Sequence, residues 1–310
     1  GIDPLHVGAL VHGSVCRDYL EPATACSVHH AIGLPKECLV LDVSNACLGM
    51  LSGMLLTANM IELGQIRVGL VVGAECGRAL VEKTVERLNG DHSLNRRGIK
   101  PLIASLTIGS GSVAVLLCDR EVSRTQNRLL GATVLAHSHE HALCQSTGLD
   151  TFMHTDSEQL LAAGVAAAAP TFGQFLAELQ WSRDDVDKTV CHQVGVAHRR
   201  LLFETLGLDE RRDFPTFETL GNTGAAALPL TMALAAEAGP FRRGDGVALL
   251  GIGSGPKLPT LGGGGRPAPP TATAREGPAN CQMLGVDWQH APTAATPRES
   301  RPDARLATTP

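Results

Sequence analysis

The sequence of 310 residues has few aromatic side chains and no excess of positive charge. It contains only 7 Phe, 2 Trp and 1 Tyr, and its 26 Lys and Arg against 31 Asp and Glu give a formal net charge of −5. Nucleic-acid sites combine basic surfaces with stacking aromatic rings, so the composition argues against a nucleic-acid partner. Because 44% of the residues are hydrophobic, the chain can bury a sizeable core, which excludes wholesale disorder.

The sequence also lacks any C-x-x-C pair, although it has nine cysteines. An odd number of cysteines without such a pair fits neither a disulfide framework nor a zinc ribbon. It is typical of reduced thiols in a cytosolic protein. The first residues show no basic and apolar leader, so we expect no signal peptide. The closely spaced histidines of 137–141 come without a paired carboxylate motif, and we predict no metal site there.

The stretch 43–61 has 19 residues without a charge. This is close to the length of a membrane span, but the stretch contains serine, threonine, asparagine and glycine and is flanked by Asp42 and Glu62. We predict a buried helix and no membrane span.

Apolar runs and breaks in the pattern predict an α/β chain. Strand-like 38–43, helical 47–63 ending at Gly64, and strand-like 68–74 form a β-α-β unit and hence a parallel sheet. Further strands are predicted at 111–117, 130–137, 186–193 and 246–251. Further helices are predicted at 157–181, with a kink or break at Pro170, and at 195–206 and 223–238.

The composition changes at residue 257. The last 54 residues hold 9 of the 18 prolines and a run of four glycines, with almost no apolar periodicity. Such a segment cannot offset its ordering entropy by burial, so we predict that 257–310 is disordered and dispensable for stability.

Three polar side chains fall where a strand passes into a helix: Cys47, His192 and Asn222. The positive end of a helix dipole favours a thiolate, which predicts a lowered pKa for Cys47; an inert core cysteine is the alternative. His192 would equally fit a structural histidine, and Asn222 a helix N-cap. The glycine-rich 251–255 follows a strand but precedes Pro256 rather than a helix, which favours a loop presenting N–H groups over a dinucleotide site.

Together these stretches resemble the thiolase superfamily, in particular 3-oxoacyl-ACP synthase III and its olefin-pathway relative that joins two fatty acyl-CoA molecules. The resemblance covers about residues 1–255 and is carried by 14–25, 41–49, 192–194, 221–224 and 249–255. It implies a duplicated αβαβα fold, a homodimer, acyl-CoA or acyl-ACP substrates and no further cofactor. On this resemblance the chain divides into a nucleophile half at 1–130 and a second half at 131–256.

The resemblance also assigns roles. Cys47 would be the acylated nucleophile, His192 and Asn222 would bind the carbonyl oxygen of the second thioester, and the N–H groups of Cys47 and Ser254 would form the oxyanion hole. Glu21 would reach into the partner subunit's pocket as the base that removes an α-proton. Without the family, a glutamate before a proline is interpreted as a solvated first-turn charge.

Two departures from the family pattern keep alternatives open. About ninety residues ordinarily precede the position of Gly1, and a closing strand ordinarily follows the glycine-rich loop, so both ends of the fold are expected to be incomplete. A decarboxylative synthase using malonyl-ACP shares the same Cys, His and Asn set. An inactive thiolase-like fragment is the third possibility.

Overall fold

The first sheet has a central strand that local sequence patterning does not predict. The computed structural model describes residues 2–136, 141–146, 153–253 and 280–289. This sheet has the order β2-β1-β3-β4 and is formed by β1 (Ala9–His12), β2 (Leu39–Asp42), β3 (Val68–Glu75) and β4 (Gly111–Cys118). β1 is parallel to both β2 and β3, and β4 is antiparallel to β3. The predicted β-α-β unit is confirmed, with β1 inserted between its two strands.

The second sheet has the order β5-β10-β9-β8. Its strands are β5 (Arg128–Leu135), β8 (Lys188–Cys191), β9 (Asp245–Gly253) and β10 (Asn280–Trp288). β10 is antiparallel to both neighbours, and β8 is parallel to β9. A short antiparallel pair, β6 (Cys144–Gln145) and β7 (His154–Thr155), lies outside this sheet. The division into halves at 1–130 and 131–256 stays a prediction. The second sheet does not follow it, because β5 crosses the boundary at residue 130 and β10 lies beyond residue 256.

Helices lie between the two sheets and on their outer faces. They are α1 (Thr24–Ile32), α2 (Gly49–Glu62), α3 (Arg78–Gly90), α4 (Arg96–Ile99), α5 (Ser157–Leu179), α6 (Val196–Leu206), α7 (Phe217–Leu220) and α8 (Ala227–Ala238). α2 packs on β1, β3 and β4, and α8 packs on β4, β8 and β9. α1 covers β1 and β2, while α5 covers the second sheet and contacts α6. This layering confirms the predicted thiolase-like αβαβα fold.

The start of α2 is held against the end of β1 by two glycines. A Cβ atom on Gly49 would overlap the carbonyl oxygen of Gly13, and a Cβ atom on Gly13 would lie 2.7 Å from the Gly49 backbone. Only a residue without a side chain permits this approach of helix and strand. The approach fixes where the preceding turn, Ala46–Leu48, sits between the sheets.

α5 is the helix within the described ranges that is long and apolar enough to cross a membrane, by length and composition only. Pro170 lies inside α5 and does not end it, so the predicted break at this proline is wrong. Phe172 and Phe175 are at most 1% exposed and share a core cluster with Leu202 and Phe203 of α6. These contacts identify α5 as a core helix under the second sheet.

The prediction that 257–310 is disordered is wrong for β10. Cys281, Met283 and Leu284 are fully buried, and β10 occupies a central place between β5 and β9. The side-chain amide of Gln282 also donates to the Ser52 hydroxyl of α2 at 3.0 Å. A nine-residue strand between proline-rich and glycine-rich stretches is hidden when the composition is averaged over the whole segment. The expected absence of the closing strand is therefore wrong as well.

Leu284 provides a test of β10. Replacing it with Ala leaves a cavity in the core between the sheets, and we expect the free energy of unfolding to fall by about 2–5 kcal/mol. The matched control is Val134→Ala on β5, where the side chain is 47% exposed and the expected loss is below about 1 kcal/mol. Both values come from urea unfolding followed by circular dichroism. Equal, small losses would contradict a packed β10.

Candidate active site

Cys47 lies in a single helical turn that runs directly into α2. Ala46, the residue before it, has a φ of +46°, an uncommon backbone conformation for a residue with a side chain. The turn Ala46–Leu48 packs against β9 and against a second turn, Gly224–Ala226, which precedes α8. Leu48 is 1% exposed and fills the space that Gly251 and Gly253 leave open. The half-buried Cys47 is thus presented between the two sheets by a constrained turn.

The prediction of a lowered pKa, and hence of a thiolate, at Cys47 is wrong. Burial raises the pKa of the Cys47 thiol to about 12, and the thiol of Cys144 and the carboxylate of Glu75 raise it further. A hydrogen bond from the Cys47 backbone N–H acts in the opposite direction but does not compensate. Desolvation therefore outweighs the helix dipole, and the Cys47 thiol is neutral near pH 7.

His192 follows β8, and its backbone N–H donates to the carbonyl of Leu250 at 3.0 Å. The side chain is only 7% exposed, and burial lowers its pKa to about 3, with His198 acting in the same direction. Within the described part of the chain, its Nδ1 atom has no hydrogen-bond partner. The imidazole is therefore neutral at physiological pH and has unused hydrogen-bonding capacity.

Asn222 is held by its main chain and by its own side chain. Its N–H donates to Thr107 at 2.9 Å, and its carbonyl accepts from Gly109 at 2.9 Å. Its Oδ1 accepts from the N–H of Gly224 at 3.0 Å, a local turn bond, whereas the N-cap of the following turn is Thr223. Because Oδ1 is engaged in this way, the carboxamide NH₂ is the group that can serve a ligand.

Glu21 does not join this arrangement. Glu21 is exposed on the loop between β1 and α1, beside Tyr19 at 55% and Leu20 at 92% exposure. Ser254 lies outside the described residues, and so does most of the 137–141 histidine stretch. The structure thus brings together the turn that contains Cys47 and the turn Gly224–Ala226, which follows Asn222 and is called the Asn222 turn below. It places Glu21 on the surface.

Sequence reasoning missed a buried carboxylate beside these turns. Glu75 ends β3, is 7% exposed and accepts hydrogen bonds from the N–H groups of Val15, Cys16 and Ala225. Its sequence signal is a charged residue at the carboxyl end of an otherwise apolar strand. The partners are 60, 59 and 150 residues away, so local patterning gives no indication of them.

The high pKa of Cys47 predicts a distinctive pH dependence of alkylation. Because only the thiolate reacts, the iodoacetamide rate at Cys47 should rise about tenfold per pH unit from pH 7 to 10 without a plateau. The same peptide in urea should level off near the ordinary thiol pKa of about 8.5. Peptide mass spectrometry locates the label, and Cys47→Ala serves as the blank. A plateau near pH 8 in the folded protein would contradict a desolvated thiol.

Comparisons with known proteins fit this geometry. The family model described as thiolase, N-terminal domain, matches residues 1–86, and that described as 3-oxoacyl-[acyl-carrier-protein] synthase III C terminal matches residues 176–258. Among solved structures, cerulenin-bound OleA of Xanthomonas campestris is 32% identical with a TM-score of 0.82, covering 93% of this chain and 76% of that one. The synthase III FabH of Xanthomonas oryzae pv. oryzae is 32% identical with a TM-score of 0.81, covering 93% and 77%.

Two curated relatives carry the same name, acyl-CoA:acyl-CoA alkyltransferase. The protein of Shewanella oneidensis is 41% identical over 299 residues, which is 93% of this chain and 78% of the relative. The protein of Xanthomonas campestris pv. campestris is 35% identical over 249 residues, 80% of this chain and 73% of the relative. The predicted resemblance is confirmed: the chain belongs to the thiolase-like acyl-CoA:acyl-CoA alkyltransferase family of acyltransferases.

Proposed function

We propose that this chain joins two fatty acyl-CoA molecules head to head by a Claisen condensation through an acyl thioester on Cys47. The observation that carries the proposal is the extended similarity to two relatives named acyl-CoA:acyl-CoA alkyltransferase. The packing of the Cys47 turn against the Asn222 turn supports it, because both steps of such a reaction need these groups around one bound acyl chain.

The first step is acyl transfer to the thiol. Cys47 Sγ attacks the thioester carbonyl of the first acyl-CoA, the bond to the CoA sulfur breaks, and CoA leaves with the proton that the thiol gives up. With a pKa of about 12 the thiol loses its proton during the attack rather than before it. We assign the N–H of Cys47, which hydrogen-bonds its own sulfur, as the first donor to the carbonyl oxygen that becomes negative. We assign the second oxyanion-hole donor to Ser254.

The second step forms the carbon–carbon bond. Glu21 removes an α-proton from the second acyl-CoA, and the negative charge that moves to its carbonyl oxygen is stabilised by hydrogen bonds from His192 and Asn222. The carbanion attacks the acyl group on Cys47, the bond between the acyl carbon and Sγ breaks, and the Cys47 thiolate takes up the proton that Glu21 removed. Burial lowers the pKa of His192 and keeps its imidazole uncharged. His192 therefore serves this step as a neutral hydrogen-bond donor.

The role of Glu21 requires a homodimer. The loop that carries it exposes Val15, Tyr19 and Leu20, with exposures of 54%, 55% and 92%. β2 lies at an edge of the first sheet, where Leu39 is 46% exposed. An exposed apolar loop and an open strand edge are surfaces that association covers. We infer that this loop enters the pocket of the partner subunit, in a cytosolic dimer.

Decarboxylative condensation is the second candidate. It is favoured by the synthase III family match at 176–258 and by the FabH structure with its TM-score of 0.81. Such an enzyme takes malonyl-ACP as its second substrate and generates the carbanion by loss of carbon dioxide. It therefore needs no base at Glu21, and this residue separates the two reactions.

Acylation tests the nucleophile. Incubation with a long-chain acyl-CoA should add one acyl mass to the peptide that carries Cys47, as measured by intact-protein and peptide mass spectrometry. Cys47→Ala should abolish the adduct, although the other eight cysteines remain. Labelling on a different cysteine would refute the assignment, and the absence of any adduct on a folded sample would favour an inactive thiolase-like chain.

Substitution of Glu21 tests the base. Glu21→Ala should leave acylation of Cys47 nearly intact and reduce formation of the β-keto product by roughly 10²–10⁴, the usual contribution of a positioned base. The matched control is Asp18→Ala, which removes an exposed carboxylate from the same loop and should have little effect. Product is quantified by chromatography with mass detection. Normal condensation of two acyl-CoA molecules by Glu21→Ala would refute Glu21 as the base, and turnover with malonyl-ACP alone would establish the decarboxylative reaction instead.

A further inference from the structure

The carboxylate of Glu75 connects two loops from opposite halves of the fold. Its Oε1 accepts from the N–H of Val15 at 2.9 Å and from the N–H of Ala225 at 3.0 Å, and its Oε2 accepts from the N–H of Cys16 at 3.0 Å. Its hydrogen-bond partners in the described ranges are these main-chain donors and the thiol of Cys16 rather than a cation. A carboxylate that is 7% exposed is tolerated because these charge-assisted bonds replace its hydration.

One of these loops carries Glu21. Val15 and Cys16 begin the loop, and its far end is held by Asp42, which accepts from the N–H groups of Thr24 at 2.9 Å and Ala25 at 2.9 Å. The exposed segment between them is therefore anchored at both ends by a carboxylate at the carboxyl end of a strand. The direction in which this segment projects depends on both anchors.

The other loop carries Asn222. Ala225, which donates to Glu75, lies in the same turn as Gly224, whose N–H holds the Asn222 side chain. Gly224 has a φ of +55°, and a Cβ atom there would lie 2.9 Å from the Glu75 carboxylate. The carboxylate thus packs directly on the turn that orients the Asn222 carboxamide.

We infer that Glu75 is a positioning residue for carbon–carbon bond formation, because one buried carboxylate sets both the loop of Glu21 and the turn of Asn222. This inference rests on the proposed function, since it assigns Glu75 to the second step. Within the described residues Glu75 makes no hydrogen bond to the nucleophile's turn, and its charge acts on Cys47 only by raising the pKa of the thiol. Neutralising it is therefore expected to leave acyl transfer unchanged or slightly faster, whereas condensation falls. In a dimer the same carboxylate links the Asn222 of its own pocket to the Glu21 that serves the partner's pocket.

The test is a double-substitution cycle on the two half-reactions. Glu75→Gln keeps the size of the side chain but turns an NH₂ group towards the N–H of Cys16. We expect condensation to fall about 10- to 100-fold while the single-turnover acylation rate changes less than about threefold. In an Asn222→Ala background the same substitution should cost clearly less than in the wild type, because part of its effect passes through Asn222.

A second variant perturbs the contact from the opposite side. Gly224→Ala places a methyl group against the Glu75 carboxylate without removing a charge, and it should give the same selective loss of condensation. The matched control is Asp187→Asn, which removes a carboxylate that accepts from the N–H of Gly246. We expect it to change neither half-reaction. Hydrogen exchange should increase at residues 15, 16 and 225 together in Glu75→Gln.

The outcomes are distinguishable. If the wild type forms the Cys47 adduct but no β-keto product from acyl-CoA, the proposed function fails. If the wild type condenses and the Glu75→Gln and Asn222→Ala effects simply multiply, the positioning role is overturned. It is also overturned if acylation and condensation fall together with the melting temperature, or if exchange increases at only one of the two loops.

Discussion

The turn Ala46–Leu48 packs against the turn Gly224–Ala226 between the two sheets, and the positions of Cys47 and Asn222 both depend on this contact. Each turn begins a central helix, and each is held in place by a glycine that allows the backbone to approach closely: Gly49 against Gly13, and Gly224 against Glu75. Because the first of these turns precedes α2, which packs on the first sheet, and itself packs against β9 of the second sheet, this region forms only where the two sheets come together around it.

Electrical neutrality is the second constraint on the site. Burial raises the pKa of the Cys47 thiol and lowers the pKa of the His192 imidazole, so the two groups are uncharged together over the physiological range. The charge of Glu75 is compensated by main-chain N–H groups instead of a mobile cation. In the proposed condensation, charge therefore develops chiefly on the reacting atoms, where fixed neutral donors stabilise it most effectively in a dry environment.

Local sequence patterning predicts the elements with strong apolar runs, such as β3 and α2, and the positions of Cys47 and His192 between a strand and a helix. The same placement is wrong for Asn222, which lies between α7 and the turn before α8. It fails where tertiary structure decides. β1 is four residues long, and β10 is hidden in a proline-rich and glycine-rich window, yet both occupy central places in their sheets. The pKa of Cys47 moves against the dipole argument because burial is a property of the packed chain. Glu75 is recognisable only once its distant partners are known.

The central place of β10 has a consequence for biosynthesis. β5 and β9 pair with each other only through β10, which the ribosome makes well after both of them. Until residue 288 has been synthesised, each of these strands keeps one row of N–H and C=O groups without its native partner. Open strand edges are templates for wrong pairing, and long-range strand pairing is slow to form. The nascent second half therefore depends on protection of both edges until β10 arrives.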